Sequence, residues 1–111
     1  MQLSSAAGVV SRLRRLVFET HQPIQFLDVT DAVAELVRSV GLREGMANVF
    51  SRHTTAAVLI QEDEPLLLED LREFLQRSAP STAHYRHNDF RVRTVHMHDD
   101  EPPNGHAHCQ Q

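Results

Sequence analysis

The sequence predicts an α+β domain, and three observations support this fold class. The chain has 111 residues, which suffices for one domain with one hydrophobic core. Its content of 41% hydrophobic and 23% charged residues is typical of a folded protein rather than a disordered one. Its apolar residues change between strand-like and helix-like spacing along the chain. We therefore expect residues 1–111 to form a single domain in which two helices are interspersed with several strands.

The first predicted elements are two strands. In residues 14–19, Leu16 and Phe18 alternate with polar neighbours, which favours a half-buried strand. Residues 24–27 continue this strand or pair with it, and Pro23 interrupts the hydrogen-bonding ladder between them. The first 18 residues have several serines and no acidic residue, and we interpret them as a ragged, solvated N-terminus rather than a transit peptide.

The next predicted element is an amphipathic helix at residues 31–40. Thr30 is suited to cap its N-terminus, and Gly41 is suited to end it. Its apolar residues lie at helical spacing, and they are Val33, Leu36, Val37 and Val40.

Two more strands and a second helix are predicted in the middle of the chain. Residues 46–51 and 56–61 are rich in β-branched and other apolar residues, which favours strands. The helix is predicted at residues 65–77, because Pro65 suits a first helical turn and acidic residues precede it. After Pro80 the sequence becomes polar and rich in histidine, and we predict mostly loop there.

The strongest compositional signal is a concentration of histidine, since six of the eight histidines lie in one short stretch: His84, His87, His96, His98, His106 and His108. Imidazole binds borderline metals and transfers protons near neutral pH. The spacing leaves a second interpretation open, in which these side chains belong to a solvated loop. No zinc-finger or metalloprotease spacing is present.

A second group of candidates lies between positions 53 and 64. His53 connects two predicted strands, and the adjacent Thr54 and Thr55 offer hydroxyl groups and amides that suit a phosphate. A purely structural role for His53 is the alternative. Glu62 and its acidic neighbours are candidates for metal binding or proton transfer, but acids are also expected before a helix because of its dipole.

Several classes of function are disfavoured by composition. The net charge of −4 and the scattered arginines argue against a nucleic-acid partner. The longest apolar stretches are a few residues, whereas a membrane span needs roughly 20. The single cysteine, Cys109, offers no intrachain disulfide. We therefore expect a cytoplasmic protein that is not integral to a membrane.

Four separated motifs together resemble a known family. They are the stretch from His53 to Pro65, Asp70, the sequence Tyr85-Arg86-His87, and the sequence Pro103-Asn104-Gly105-His106-Ala107-His108-Cys109-Gln110. Their order and residues resemble the proteins often described as secondary thiamine-phosphate synthases, the UPF0047 or YjbQ-like family. The resemblance covers roughly residues 16–110.

The resemblance implies a compact α+β protein with a β-sandwich-like core that assembles as a homotrimer. It also implies a site whose residues are His53, Thr54, Glu62, Asp70, His87, Asn104, His106 and His108. Within this set, we assign catalytic roles to His53, Glu62 and His87. We assign substrate or phosphate binding to Thr54, Thr55, Asn104 and His106. A divalent metal is expected at His53, His87 and His108.

The reaction implied by the resemblance joins a pyrimidine pyrophosphate to a thiazole phosphate with loss of pyrophosphate. The alternatives are a non-catalytic trimer that binds a metal or a small anion, and an inactive truncated member of the family. Two departures from the family pattern are present. Gln61 stands where members commonly have Asn, and the C-terminal strands and Gly-x-Trp-Gln signature of the family are absent, since the chain has no Trp. We expect the chain to lack those strands.

Overall fold

The computed structural model describes residues 2–6, 8–98 and 101–111. In chain order the elements are strands β1 (Gln2–Ala6) and β2 (Val9–Leu13), helices α1 (Thr30–Ser39) and α2 (Pro65–Ser78), a 3₁₀ turn (Arg86–Asn88) and helix α3 (Gly105–Gln110). The predicted mixture of helices and strands is confirmed. The chain divides into two compact units, one up to Asn48 and one from Val49 to Gln111, and each is described by itself.

The first unit begins with an antiparallel hairpin. Strand β1 pairs with β2 in a register that places Gln2 opposite Leu13 and Ala6 opposite Val9. Gly8 in the connection has φ of 86°, a left-handed conformation that glycine adopts without steric cost. Our interpretation of these residues as an N-terminus without regular structure was wrong. The β-branched Val9 and Val10 directly after a glycine were the signal for a hairpin.

Helix α1 confirms the predicted helix to within one residue at each end. Gly41 has φ of 64°, and its amide donates to the carbonyl of Arg38 at 3.0 Å. The amide of Leu42 donates to the carbonyl of Val37 at 3.4 Å, so the helix ends in a Schellman motif. The predicted cap at Thr30 was wrong, because Thr30 is the first helical residue and its amide donates to Asp28 Oδ1 at 2.9 Å.

The four predicted strands need correction. Among the described residues the pairing of β1 with β2 forms the sheet, and none of the four segments predicted as strands has regular structure: residues 14–19, 24–27, 46–51 and 56–61. A strand needs a neighbouring strand for its amides and carbonyls, and among the described residues these segments are not part of a strand ladder. Apolar composition alone does not create a strand.

Helix α2 is the first regular element in the second unit, and it confirms the second predicted helix. The side chain of Glu64 caps it, since its two carboxylate oxygens accept hydrogen bonds from the amides of Leu66 at 3.0 Å and Leu67 at 2.7 Å. Of the three acids before Pro65, Glu64 therefore has a structural role, in agreement with the helix-dipole alternative.

The prediction that the last part of the chain is mostly loop was wrong for its final residues, which form α3. This helix has six residues, too few to produce a clear apolar period in the sequence. It is tied to the end of α2, because Gln110 Nε2 donates to the carbonyls of Leu75 at 3.3 Å and Ala79 at 3.0 Å. The Leu75 carbonyl also accepts from the amide of Ala79 at 3.0 Å, so Gln110 adds a second donor there and supplies a donor to the Ala79 carbonyl just past the helix end. Ala79 itself is buried.

Across the described ranges, no helix combines the length and the apolar character that a bilayer crossing requires.

Candidate functional site

Two of the predicted site histidines meet in the second unit. His87 lies on the 3₁₀ turn and His108 lies on α3. Their ring centroids are 4.9 Å apart with an angle of 75° between the rings, so that one ring edge faces the other ring. Both residues are half-buried. A turn and a short helix, distant in sequence, thus place two imidazoles side by side.

Arg93 organises the surroundings of His87, although sequence reasoning did not select it. Its Nη1 lies 2.5 Å from Glu101 Oε1, and it also lies 3.2 Å from both the carbonyl oxygen and Nε2 of His87. The side chains of Arg93 and Glu101 are 12% and 11% exposed. A charged pair that is so largely withdrawn from water is held in one geometry more firmly than an exposed pair.

Arg93 also fixes the loop that follows it. Its Nε donates to the carbonyl of Val95 at 3.2 Å, and its Nη2 donates to the carbonyl of His96. All three guanidinium nitrogens therefore donate to acceptors within residues 87–101. The side chain acts as the centre around which this loop is arranged.

Glu101 is the carboxylate of the site. Its Oε1 lies 3.4 Å from His87 Nε2, and its Oε2 accepts a hydrogen bond from the amide of His98 at 3.3 Å. The hydrogen bond from Arg93 lowers the pKa of Glu101 below its ordinary value, and the His98 amide and the neighbouring positive charges act in the same direction against a desolvation effect. Glu101 is therefore ionised at neutral pH.

A close backbone approach holds the 3₁₀ turn against the start of α3. The amide of Gly105 donates to Asn88 Oδ1 at 2.9 Å. A Cβ atom at position 105 would lie 2.6 Å from Tyr85 Cβ and 3.1 Å from Asn88 Oδ1, so only glycine fits without a shift. The Tyr85 hydroxyl donates to the carbonyl of Pro80 at 2.7 Å, and burial, followed by the charge of Cys109, raises the pKa of Tyr85. The contact of Gly105 with Asn88 sets the distance between His87, on the turn, and His108, on α3.

Asn104 and His106, both predicted to bind substrate, lie beside this contact. Asn104 Oδ1 and His106 Nδ1 are buried and have no hydrogen-bond partner among the residues that the structure describes. The His106 ring lies 6.4 Å from the ring of Tyr85, measured between centroids. Buried polar atoms without partners cost about 1–3 kcal/mol each, so each of these two atoms requires a partner that the described residues do not supply.

The other predicted site residues lie apart from this cluster. His53, Thr54 and Thr55 are exposed on a turn, where the His53 amide donates to Ser51 Oγ at 3.2 Å and the His53 carbonyl accepts from the amide of Ala56 at 3.4 Å. These local contacts do not extend to His87 or His108.

Glu62 and Asp70 are exposed as well. The amide of Glu62 donates to Gln61 Oε1 at 3.0 Å, which is a contact between neighbours in sequence. The structure of one chain therefore brings together His87 and His108 but does not bring His53 or Glu62 to them. The side chains of His84, His96 and His98 are exposed, as expected for a loop.

The described residues do not complete a metal site. Within residues 2–6, 8–98 and 101–111, no group of three His, Cys, Asp or Glu side chains is arranged to hold a metal ion. Imidazole nitrogens have the right donor chemistry for a borderline metal. However, the carboxylate that the structure describes beside His87, that of Glu101, is engaged by Arg93 at 2.5 Å. The donor chemistry fits in part, and the ligand set within the described residues is not complete.

Arg93 and Glu101 are the site residues that sequence reasoning missed. They are eight positions apart in a stretch predicted to be loop, where no periodicity indicates which side chains meet. The available signal was an arginine and a glutamate on either side of His96 and His98 within the histidine-rich stretch.

Comparisons with known proteins place this chain among relatives of one family. Residues 14–111 match the family model described as UPF0047 protein YjbQ-like. A UPF0047 protein of Methanothermobacter thermautotrophicus is 39% identical over 75 residues, which cover 68% of this chain and 52% of that protein. A UPF0047 protein of Archaeoglobus fulgidus is 37% identical over 73 residues, covering 66% of this chain and 56% of that protein.

A UPF0047 protein of Synechocystis is 33% identical over 88 residues, which cover 78% of this chain and 59% of that protein. The chain thus spans between half and three fifths of the length of the curated relatives it matches. No solved structure shows significant similarity to it.

Proposed function

Because this chain belongs to the UPF0047 family of YjbQ-like proteins, we propose that it acts on a small phosphorylated molecule at the cluster of His87, His108, Arg93 and Glu101. The proposed reaction is of the thiamine-phosphate synthase type. It joins a pyrimidine pyrophosphate to a thiazole phosphate. The observation that carries the proposal is the edge contact of His87 with His108 at 4.9 Å, beside an ionised carboxylate held by an arginine.

The proposed reaction requires little covalent chemistry from the side chains of the protein. A carbon–nitrogen bond forms to the thiazole nitrogen while the carbon–oxygen bond to pyrophosphate breaks, and pyrophosphate leaves with the bonding electron pair. The main requirement is stabilisation of the negative charge that develops on the leaving group. Hydrogen-bond donors on His87 and His108 are suited to this task, and His106 and Asn104 have unsatisfied atoms to position the substrate.

The remaining predictions concern parts of the protein beyond this cluster. A divalent metal at His53, His87 and His108 would supply further positive charge, and Glu62, Thr54 and Thr55 keep their predicted roles in catalysis and phosphate binding. Since His53 has only local contacts within one chain, we propose that it reaches the cluster from a neighbouring subunit of a homotrimer. The β-sandwich-like core and the cytoplasmic location also stay predictions.

A non-catalytic binding protein for a metal or a small anion is the second candidate. It is favoured by the state of Glu101, because the hydrogen bond from Arg93 lowers the pKa of this carboxylate. A carboxylate that is stabilised in its charged form is a weak general base. In this candidate the cluster recognises an anion and performs no chemistry on it.

The experiment measures synthase turnover and pyrophosphate binding with the full-length protein. For the enzyme, His87→Ala and His108→Ala should each lower turnover about 100-fold or more, in the usual range for loss of a group acting in the transition state. His21→Ala, which removes an exposed imidazole in the other unit, should leave turnover unchanged.

Rescue of a thiamine auxotroph provides a second readout. Rescue that is lost with His53→Ala supports the enzyme and the role of His53. Pyrophosphate binding in calorimetry without turnover or rescue supports the binding protein instead. Full turnover in both His87→Ala and His108→Ala would remove the cluster from the proposal.

A further inference from the structure

The hydrogen bonds around Arg93 constrain the position of a proton on His87. Nη1 of Arg93 carries two hydrogens and lies near three acceptors: Glu101 Oε1 at 2.5 Å, and the carbonyl oxygen and Nε2 of His87, both at 3.2 Å. A guanidinium group donates hydrogen bonds and cannot accept them. The contact with Nε2 therefore requires that Nε2 carries no hydrogen and accepts.

The opposite arrangement fits the distances less well. If Nε2 carried the hydrogen, the acceptor that the described residues offer it would be Glu101 Oε1 at 3.4 Å, outside the usual range for an N–H donor to oxygen. Two N–H groups, of Arg93 and His87, would also face each other across 3.2 Å. The neutral ring is then better accommodated with its hydrogen on Nδ1.

We propose that Arg93 is a positioning residue that fixes neutral His87 in the Nδ1–H tautomer. This proposal rests on the proposed function, in which the substrate is a phosphorylated molecule. In this tautomer His87 has one donor, Nδ1–H, for an oxygen of that substrate. The electron pair of Nε2 is directed at Arg93, so the divalent metal proposed at His87 would bind only after this contact has opened. The ligand class that His87 recognises within one chain is therefore an oxygen anion.

Nuclear magnetic resonance of the histidine ring nitrogens tests this tautomer directly in full-length protein without substrate. The spectrum is recorded at alkaline pH, in the range where the ring signals no longer change with pH, so that neutral rings are observed. His87→Gln identifies the His87 signals by their loss. In the unsubstituted protein we expect the hydrogen on Nδ1.

Substitution of Arg93 supplies the causal test. In Arg93→Met, Glu101 remains as the acceptor nearest to Nε2, so the hydrogen of His87 should move predominantly to Nε2. Arg93→Lys keeps a charged donor and should retain more of the Nδ1–H form. Arg91→Gln is the matched control, because its side chain is 90% exposed and pairs with Asp89, and it should leave His87 unchanged.

Two results would overturn the proposal: an Nε2–H ring in the unsubstituted protein, or an unchanged ring in folded Arg93→Met. If Arg93→Met does not fold, the spectrum of the unsubstituted protein and the comparison of Arg93→Lys with Arg91→Gln decide. The measurement needs no catalysis, so a protein without synthase activity can still show the proposed tautomer. Failure of the proposed function and failure of this inference are thereby distinguished.

Discussion

Residues 85–110 and residues 49–61 lie in the same compact unit and differ in what determines their structure. The first segment is polar, and specific contacts cross it, from Arg93 to Glu101 at 2.5 Å and from Gly105 to Asn88 at 2.9 Å. The second segment is apolar and has no regular structure. Its Phe50 and Ile60 are 67% and 103% exposed.

The difference shows that an apolar segment needs another surface to pack against, and that its composition does not provide that surface. Hydrophobic attraction is non-directional, and the hydrogen bonds that the structure describes within residues 49–61 are local, such as the one from the His53 amide to Ser51 Oγ at 3.2 Å. A guanidinium group or a buried amide requires acceptors at set distances and angles, so residues 85–110 are arranged by their polar groups. The candidate site lies in the segment that is arranged in this way.

The largest effect expected in this comparison comes from Gly105→Ala. The added methyl would lie 2.6 Å from Tyr85 Cβ and must push the 3₁₀ turn away from α3. We expect a loss of about 1–3 kcal/mol in the free energy of unfolding, as for other overpacked positions. Urea denaturation measures it.

Gly45→Ala is the control for this substitution. There the methyl would meet the flexible end of the Leu42 side chain at 2.7 Å, which can rotate away, so the loss should be smaller. Equal stability of Gly105→Ala and the unsubstituted protein would show that the turn and α3 are not held together as described.

A smaller effect is expected from Glu101→Gln, and it depends on pH. Because the folded-state pKa of Glu101 is lowered, its ionised form stabilises the protein above the ordinary carboxylate pKa of about 4.3, and this contribution is lost as pH falls through the lowered value. Glu101→Gln should lower stability at neutral pH and make the acid branch of the stability curve shallower. Urea unfolding from pH 7 to pH 3 tests this.

Asp89→Asn provides the comparison. The hydrogen bond from Arg91 lowers the pKa of Asp89, so the sign is the same, but the Arg91 side chain is 90% exposed and salt screens the pair. Its effect should be smaller and should diminish at high salt. Identical pH profiles for Glu101→Gln and the unsubstituted protein would contradict the described network.

The smallest effect is expected from Ile60→Thr. Since Ile60 is fully exposed, its substitution should change the free energy of unfolding by less than about 0.5 kcal/mol. Leu67→Thr, on α2 and half-buried, should cost more. A larger loss at Ile60 than at Leu67 would mean that another surface covers residues 49–61 in the folded protein, and the contrast between the two segments would disappear.

The sequence predicted those parts of the fold whose signals are local. The two long helices were predicted correctly because their signals act within a few residues. These signals are the apolar period of both helices, Pro65 at the start of α2 and Gly41 after the end of α1. The strands were misplaced because pairing depends on partners distant in sequence, which a single-chain pattern does not identify. The hairpin before residue 14 and helix α3 were too short for their periodicity to stand out.

The candidate site was predictable only in its residue types. Concentration of histidine pointed to His87 and His108, and the structure brings their rings together. Arg93 and Glu101 could not be found in this way, since a pair formed inside a loop follows from the path of the backbone. The same limit applies to His53, whose contacts within one chain are local.

The bond between Asn88 and Gly105 joins positions 17 apart, and it has a consequence for how this protein can vary. It closes a loop whose ends are fixed, so the cost of changing the loop's length is mainly chain entropy. That cost grows only logarithmically, by about 0.6 kcal/mol for each doubling. We therefore expect the fold to tolerate insertions and deletions between Asn88 and Gly105, provided that the ion pair of Arg93 with Glu101 can still form.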